Sequence, residues 1–595
     1  MSSLIPHKFH IPVLGLCFTI DTPVKVARYG ISSVLSIIDD DLLEHMRSYH
    51  ALKNGKIFLP IAASEHDGRA KRITAYLDLL HDIIDEQLIA MKNEPLVKGS
   101  ELWKYFDMLP ENTPIKLRFQ SYGNTSDEAK RKIILDELKD SMVAGSIDVN
   151  IMAKVNRTRY DEQGNKLPDE FSDALSSLRG FAQSKLNSAV VISAGYNPKL
   201  YAYAAQFSDF YPDENGQLKK RIILKVSDYR SALIQGKILS QKGLWVSEFR
   251  IESGLNCGGH AFATEGLLMG PILQEFKEKR NVLKHTLMEI CSQALSGKGF
   301  HPLSPDASQR ITAQGGIGNV AEQNMLLDYF ELDGTGWGSP FLLVPEATNV
   351  DDDTLQQLAH AKKSDYYLSN ASPLGVPFNN FRKSTSEAQR VKRIDKNRPG
   401  SPCYQEYLVS NTEFTDQPIC TASRKYQFLK INELNQMDLP EDVKRKKIAA
   451  IEEKDCLCEG LTASVRLKNE MYLPHKMSAV AICPGPNLAY FSGVFSLQEM
   501  IDHIYGRSNI NNQLERKHMF MNELEQYVNY FFERVLGADE VNVKSAEKFR
   551  THLIDGIAYY HRLLPEYATL LDEYENRLSA AEIVDKSAKK EPVCF

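Results

Sequence analysis

Two glycine-ended β-type runs near the middle of the chain constrain its fold more than any other feature. Arg310-Ile-Thr-Ala-Gln-Gly-Gly-Ile-Gly-Asn319 is followed by Asp333-Gly-Thr-Gly-Trp-Gly-Ser-Pro-Phe-Leu342. Ile311 to Gln314 runs into Gly315, Gly316 and Gly318, and the second run passes through Gly336 and Gly338 into Ser339. Asn319 to Tyr329 between them reads as a helix, so the unit is strand, glycine turn, helix, strand, glycine turn. Glycines let backbone N–H groups approach an anion, and a helix N-terminus adds favourable partial charge. Either bend alone reads as an ordinary turn. As a pair, in this order and at this spacing, they read as a cradle for one phosphate, the kind formed by the loops after the seventh and eighth strands of a (β/α)8 barrel.

The chain upstream keeps the rhythm such a barrel needs. Ile11 to Cys17 reads as a strand, Pro23 to Tyr29 as a helix, and Ile31 to Ile37 as a second strand rich in β-branched residues. Further strand candidates are Ile57 to Ala62, Pro114 to Phe119, Ile147 to Met152, Ala189 to Ser193, Arg221 to Val226 and Leu244 to Ser247. Helical spacing fills much of the rest, most clearly from Arg69 to Met91, where Ile73, Leu77, Leu80 and Ile84 share a face. That makes about ten strand candidates where a barrel takes eight. The surplus is expected between residues 55 and 125, which reads as an insertion.

A chain of 595 residues is too long for one ordinary domain. The expected division is a barrel over 1–348, an irregular Cys-bearing segment over 349–495 and a helical region over 496–595. Residues 364–425 are dense in Ser, Asn, Pro and Gly, Lys430 to Glu453 looks helical, and Leu514 to Leu536, Ser545 to Leu564 and Tyr567 to Val584 are helix candidates. A Lys-rich tail at 586–590 reads as solvated and disordered. With 71 basic against 77 acidic residues, the net charge of −6 gives no reason to expect a nucleic-acid or anionic-membrane partner. Arg390, Lys392, Arg393, Lys396 and Arg398 form one local basic patch. The longest early apolar run, Ile11 to Ile20, is followed at once by Asp21 and lacks the features of an export signal or a membrane span, so a cytoplasmic protein is expected. Nine cysteines in such a chain are then thiols or ligands rather than a disulfide framework.

A second glycine cluster follows the strand at Leu244, in Glu248-Phe-Arg-Ile-Glu-Ser-Gly-Leu-Asn-Cys-Gly-Gly-His-Ala-Phe262. Gly258 and Gly259 let the backbone pass close to a flat ligand and present His260 at the strand's C-terminal end, the face on which barrels carry catalytic groups. A histidine there can take or give a proton near neutral pH, although a lone His is more often a satisfied structural one.

In combination these residues resemble the flavin-dependent nitronate monooxygenase family and its relative, the flavin enoyl-carrier-protein reductase. The resemblance lies in the order strand, Cys-Gly-Gly-His, long helix, strand-Gly-Gly-Ile, strand-Gly-Ser-Pro-Phe-Leu, and covers roughly residues 10 to 348. Ile11-Pro-Val-Leu-Gly15 and Thr22-Pro23 match the family's opening strand and helix start, and Asp148-Val-Asn-Ile-Met152 its strand carrying an Asn near the flavin. The resemblance implies an FMN-binding barrel, with Gly15, Gly258, Gly259 and Gly315 around the cofactor and Gly316, Gly338 and Ser339 on its phosphate. Asn150 would stand near the flavin edge, and His260 would be an acid/base beside the isoalloxazine. Two positions depart from the family: Gly338-Ser339-Pro340 replaces Gly-Thr-Arg, and Cys257 replaces a small residue. The implied activity is an FMN-dependent oxidoreductase like nitronate monooxygenase. A flavin ene reductase is one alternative, and a phosphate-ligand-binding barrel serving as an assembly or regulatory module is another. A small-molecule substrate and an electron donor or acceptor are the implied partners, and homo-oligomerisation stays open. Substrate choice is expected from the 55–125 insertion and from residues 364–425, with Asn370 to Phe381 as a candidate lid.

Five cysteines fall within 81 residues: Cys403, Cys420, Cys456, Cys458 and Cys483. Prolines and glycines lie near most of them, and thiolates are the usual ligands of iron–sulfur clusters and structural zinc, each satisfied by four. The spacings match no standard motif. A [4Fe–4S] cluster on four of the five, zinc, and unligated thiols are the readings left open.

Overall fold

Eight parallel strands close into a barrel in chain order. They are β1 (Phe9–Ile11), β2 (Ser32–Ser36), β3 (Ile147–Asn150), β4 (Ser188–Ile192), β5 (Lys220–Val226), β6 (Val246–Glu252), β7 (Arg310–Gln314) and β8 (Gly334–Gly336). The ring shuts where β1 pairs β8, His10 opposite Gly336. Helices surround it, and the chain is therefore a (β/α)8 barrel with further helical regions. The structure, a computed structural model, describes residues 6–152, 156–161, 163–193, 195, 197–538 and 540–584. The tail expected at 586–590 lies outside them. No helix among the described residues is long and apolar enough to cross a membrane.

Both surplus strand candidates are non-strands. Pro114–Asn124 is a helix, because Thr113 caps it through Lys116 N–H at 3.3 Å and Pro114 occupies the first turn, where its missing N–H costs nothing. Residues 57–62 form no strand and leave Ile57 88% and Leu59 73% exposed, so an apolar run there never found a sheet to cover it. The Gly68–Lys92 helix instead buries its Ile73, Leu77, Leu80 and Ile84 stripe, partly against Asp173–Gln183. The 349–495 region holds five α-helices as well as loops, and Lys430 to Glu453 divides into Arg424–Gln436 and Glu441–Glu452. The expected Leu514 helix starts only at Met519, after a loop whose Arg516 turns inward.

The barrel interior carries an ion layer. Glu248 accepts from Arg250 at 2.7 Å, from Arg310 at 3.1 Å and from Thr312 Oγ1 at 2.6 Å. Burial alone would raise its pKa, but the two guanidiniums outweigh burial and hold it down to about 2. Its contribution to stability is therefore present above the ordinary glutamate pKa and is lost as pH falls towards 2. Glu248→Gln leaves two arginines facing a neutral group, and a loss of about 3 kcal/mol is expected by denaturant unfolding at pH 7. A loss below about 0.5 kcal/mol would show that the layer does not stabilise the barrel.

Beyond β8 the chain returns over the barrel mouth. A hairpin of β9 (Tyr366–Ser369) and β10 (Phe378–Phe381) lies against the Gly-Gly-His loop. Ala261 N–H donates to Pro377 O at 2.8 Å and Asn379 N–H to Gly259 O at 2.9 Å. The C-terminal helices Met519–Tyr530 and Val543–Leu563 pack on the start of the Met269–Gly297 helix, where Gly270 N–H meets the Tyr560 hydroxyl at 3.1 Å.

Candidate functional site

The strands end at a cavity of about 640 Å³ in the C-terminal mouth of the barrel. Ligand pockets commonly span roughly 300–1,000 Å³. Both glycine bends open into it: Gly315 and Gly316 from β7, Gly338 and Ser339 from β8. Because Gln314 pairs with Gly336, the two bends leave neighbouring strands side by side. Gly15, Asn150, Gly258, Gly259 and His260 line the same space. Every residue assigned from sequence to cofactor or catalysis therefore meets at one cavity.

The first bend requires glycine. Gly315 and Gly316 have φ of +113° and +80°, and a Cβ on Gly316 would lie 2.0 Å from Asn256 Nδ2. A Cβ on Gly315 would lie 2.6 Å from Cys257 Sγ. Cys257 is thus the floor beneath the bend. Burial pushes its thiol well above the usual range, and Sγ donates to Gln314 O at 3.5 Å. At the second bend Ser339 Oγ accepts from Gly485 N–H at 2.8 Å, which leaves its own proton for a ligand.

His260 Nε2 lies 2.7 Å from Ser372 Oγ, and that hydroxyl also accepts from Leu374 N–H at 3.2 Å. A hydroxyl so held is oriented to donate to the ring. Asn150 Oδ1 accepts from Met152 N–H at 2.9 Å, so its NH2 is the donor available to a ligand. Across the mouth Lys225 and Glu252 pair at 2.9 Å, and Gln314 Nε2 donates to Glu252 at 2.6 Å. Burial would raise Glu252, and Lys225 overrides it, so the carboxylate stays charged. Leu374, Val376 and Phe378 of the hairpin, with Leu461 and Ile482, supply an apolar wall. The candidate lid therefore borders the cavity. The 55–125 insertion lends it no lining residue and instead borders a separate polar cavity of about 960 Å³ through Ala63 to Arg69.

Sequence reading missed the residues that come from far along the chain. Gly485 N–H meets Ser339 at the second bend, and Asn487 lines the cavity beside the first, its Nδ2 donating to Ile317 O at 2.8 Å. Arg516 Nη2 donates to Gly316 O at 2.6 Å and pairs with Glu322, so it braces the bend. Glu523, fully buried, accepts from Ser253 Oγ at 2.5 Å and from Met269 N–H at 2.9 Å. No local motif marks any of them.

Burial raises Glu523 to about 7. Its folded pKa exceeds the unfolded value, so folding favours the protonated form and its penalty grows as pH rises from about 4.5 to about 7. Glu523→Gln keeps one acceptor and one donor for Met269 N–H and Ser253. It should match the parent in thermal stability at pH 5 and exceed it by about 1–3 kcal/mol at pH 8. Equal stability at both values would show that Glu523 is charged in the fold.

The five clustered cysteines part company. Cys483 lines the barrel cavity, its carbonyl accepting from Gly259 N–H at 3.0 Å. Cys403, Cys420, Cys456 and Cys458 stay together: the Cys403 thiol lies beside Cys420, and both Cys456 and Cys458 lie within electrostatic reach of Cys403. Among the described residues, the group of three His, Cys, Asp or Glu ligand atoms within 4.8 Å of one another is the surface set His561, Asp572 and Glu575.

Fold and site together define a (β/α)8 barrel with a glycine-bordered cavity at its C-terminal mouth. No family model matches the chain, and no curated protein matches it. Among solved structures, FabK from Thermotoga maritima is 12% identical over 88% of this chain and 96% of that one, with a TM-score of 0.34. The enoyl reductase domain of MlnA from the macrolactin cluster of Bacillus amyloliquefaciens is 15% identical over 71% of this chain and 88% of that one, with a TM-score of 0.33. Likenesses this weak carry no functional argument.

Proposed function

We propose that this chain is an FMN-dependent oxidoreductase of the nitronate monooxygenase kind, acting on a small organic substrate. One observation carries the reading: two glycine bends on adjacent strands, His260 and Asn150 border a single cavity of ligand size. The residues present fit the cofactor. Gly315, Gly316, Gly338 and Ser339 would hold the phosphate, with backbone N–H groups and one hydroxyl as donors. Gly258 and Gly259 would let backbone lie against the ring, and Asn150 would offer its NH2 to the ring edge. Bound FMN supplies the electron chemistry.

The protein's own groups do the remainder. His260, oriented through Ser372, takes or gives the substrate proton. The wall of Leu374, Val376 and Phe378 selects an apolar substrate and excludes water. Glu252 and Lys225 keep a fixed ion pair at the opposite rim.

One absorbance spectrum of freshly purified protein, with FMN released by denaturation and quantified, tests the reading. About one FMN per chain is expected; colourless protein that binds no added FMN refutes it. Steady-state assays of a nitronate with oxygen, against an enoyl thioester with a reduced nicotinamide, then separate nitronate oxidation from ene reduction.

A further inference from the structure

Three segments distant in sequence bring four thiols together beside the barrel mouth. The loops carrying Cys403 and Cys420 are laced together, with Ser401 N–H donating to Ala422 O at 2.9 Å and Arg424 N–H to Ser401 O at 2.8 Å. Tyr404 N–H donates to Glu459 Oε1 at 3.2 Å and ties the first loop to the start of the Leu457–Lys468 helix, next to Cys456 and Cys458. Cys420, Cys456 and Cys458 are buried and Cys403 half-buried, and none is in a disulfide. The backbone of Glu406 lies beside the Cys403 thiol, that of Tyr407 and Leu408 beside Cys458, and that of Glu459 beside Cys456.

We propose that Cys403, Cys420, Cys456 and Cys458 hold an iron–sulfur cluster. Four thiolates are the ligand set such clusters take. A single zinc fits less well. A tetrahedral site draws four sulfurs tightly around one ion, and no three of these fall within 4.8 Å of one another. A multi-iron core spreads its thiolates wider. Four free thiols brought together without a disulfide gain little by packing against one another.

The position is specific. Leu461, one helical turn beyond Cys458, lines the barrel cavity. On the other side Lys454, next to Cys420, donates to Ser372 O at 2.9 Å, and Ser372 Oγ touches His260. The cluster thus borders the walls that shape the cavity. The proposal goes beyond the flavin reading and does not depend on it.

The test is iron and acid-labile sulfide on full-length protein purified without oxygen, beside FMN measured separately. Equal iron and sulfide, about two or four of each per chain, is expected. Serine at any of the four positions should remove most of both, whereas Cys483→Ser should keep them. Should a serine variant misfold, parent protein reconstituted with ferrous iron and sulfide under reductant gives the same reading. One zinc without sulfide, no metal after reconstitution, or loss of iron in Cys483→Ser overturns the proposal. A cluster without FMN would support it while refuting the flavin reading.

Discussion

Gly316→Ala and Gly338→Ala should each yield protein without FMN, for different reasons. At Gly316 a methyl group would stand 2.0 Å from Asn256 Nδ2 at a φ of +80°, so the bend itself must move. A stability loss of about 1–3 kcal/mol is expected beside the loss of cofactor. At Gly338 the nearest protein atoms to an added Cβ are Pro12 Cγ at 3.3 Å and Leu14 Cδ2 at 3.5 Å. Pro12 need give by only a few tenths of an ångström to admit that methyl, whereas a phosphate bound at this bend would leave it no space. Gly338→Ala should therefore melt close to the parent while binding FMN at least about a hundredfold more weakly, near 2.7 kcal/mol. The check is FMN titration with melting curves on both variants. Parent-like affinity in Gly338→Ala would remove the phosphate from this cradle.

His260→Ala should retain FMN and lose turnover by about a hundredfold to ten-thousandfold, the usual range for removing a positioned proton-transfer group. The ring meets Ser372 from the β9–β10 hairpin and lies beside Phe378, so it is held by the hairpin rather than free at the surface. Stopped-flow flavin reduction and the pH dependence of turnover should both change, with the limb assigned to the histidine disappearing. Turnover within about threefold of the parent would make His260 structural.

Much of the barrel was legible because parallel strands buried on both faces must be short apolar runs, and helices that cover them must carry an apolar stripe. Val190, Leu224 and Ala313 announce their strands in this way, whereas the strand expected at Leu244 to Ser247 runs instead from Val246 to Glu252, where charged residues alternate with Phe249 and Ile251. The same logic failed at Pro114, where a cap and a first-turn proline outweighed β-branched neighbours, and at Ile57, where no partner strand stood nearby. The site was legible where backbone dictated residue type, as at Gly315 and Gly316. It was opaque where the chemistry comes from segments hundreds of residues away.

The sequence by itself determined much of the alternation of strands and helices, the glycine bends and the place of His260 beside one of them, since each follows from local sterics and periodicity. Only the tertiary structure decided which cysteines come near one another, that Cys483 stands in the cavity, and that Glu523 and Arg516 brace it. Those placements depend on long-range packing and burial, which set neighbours and protonation states through distances no local pattern encodes.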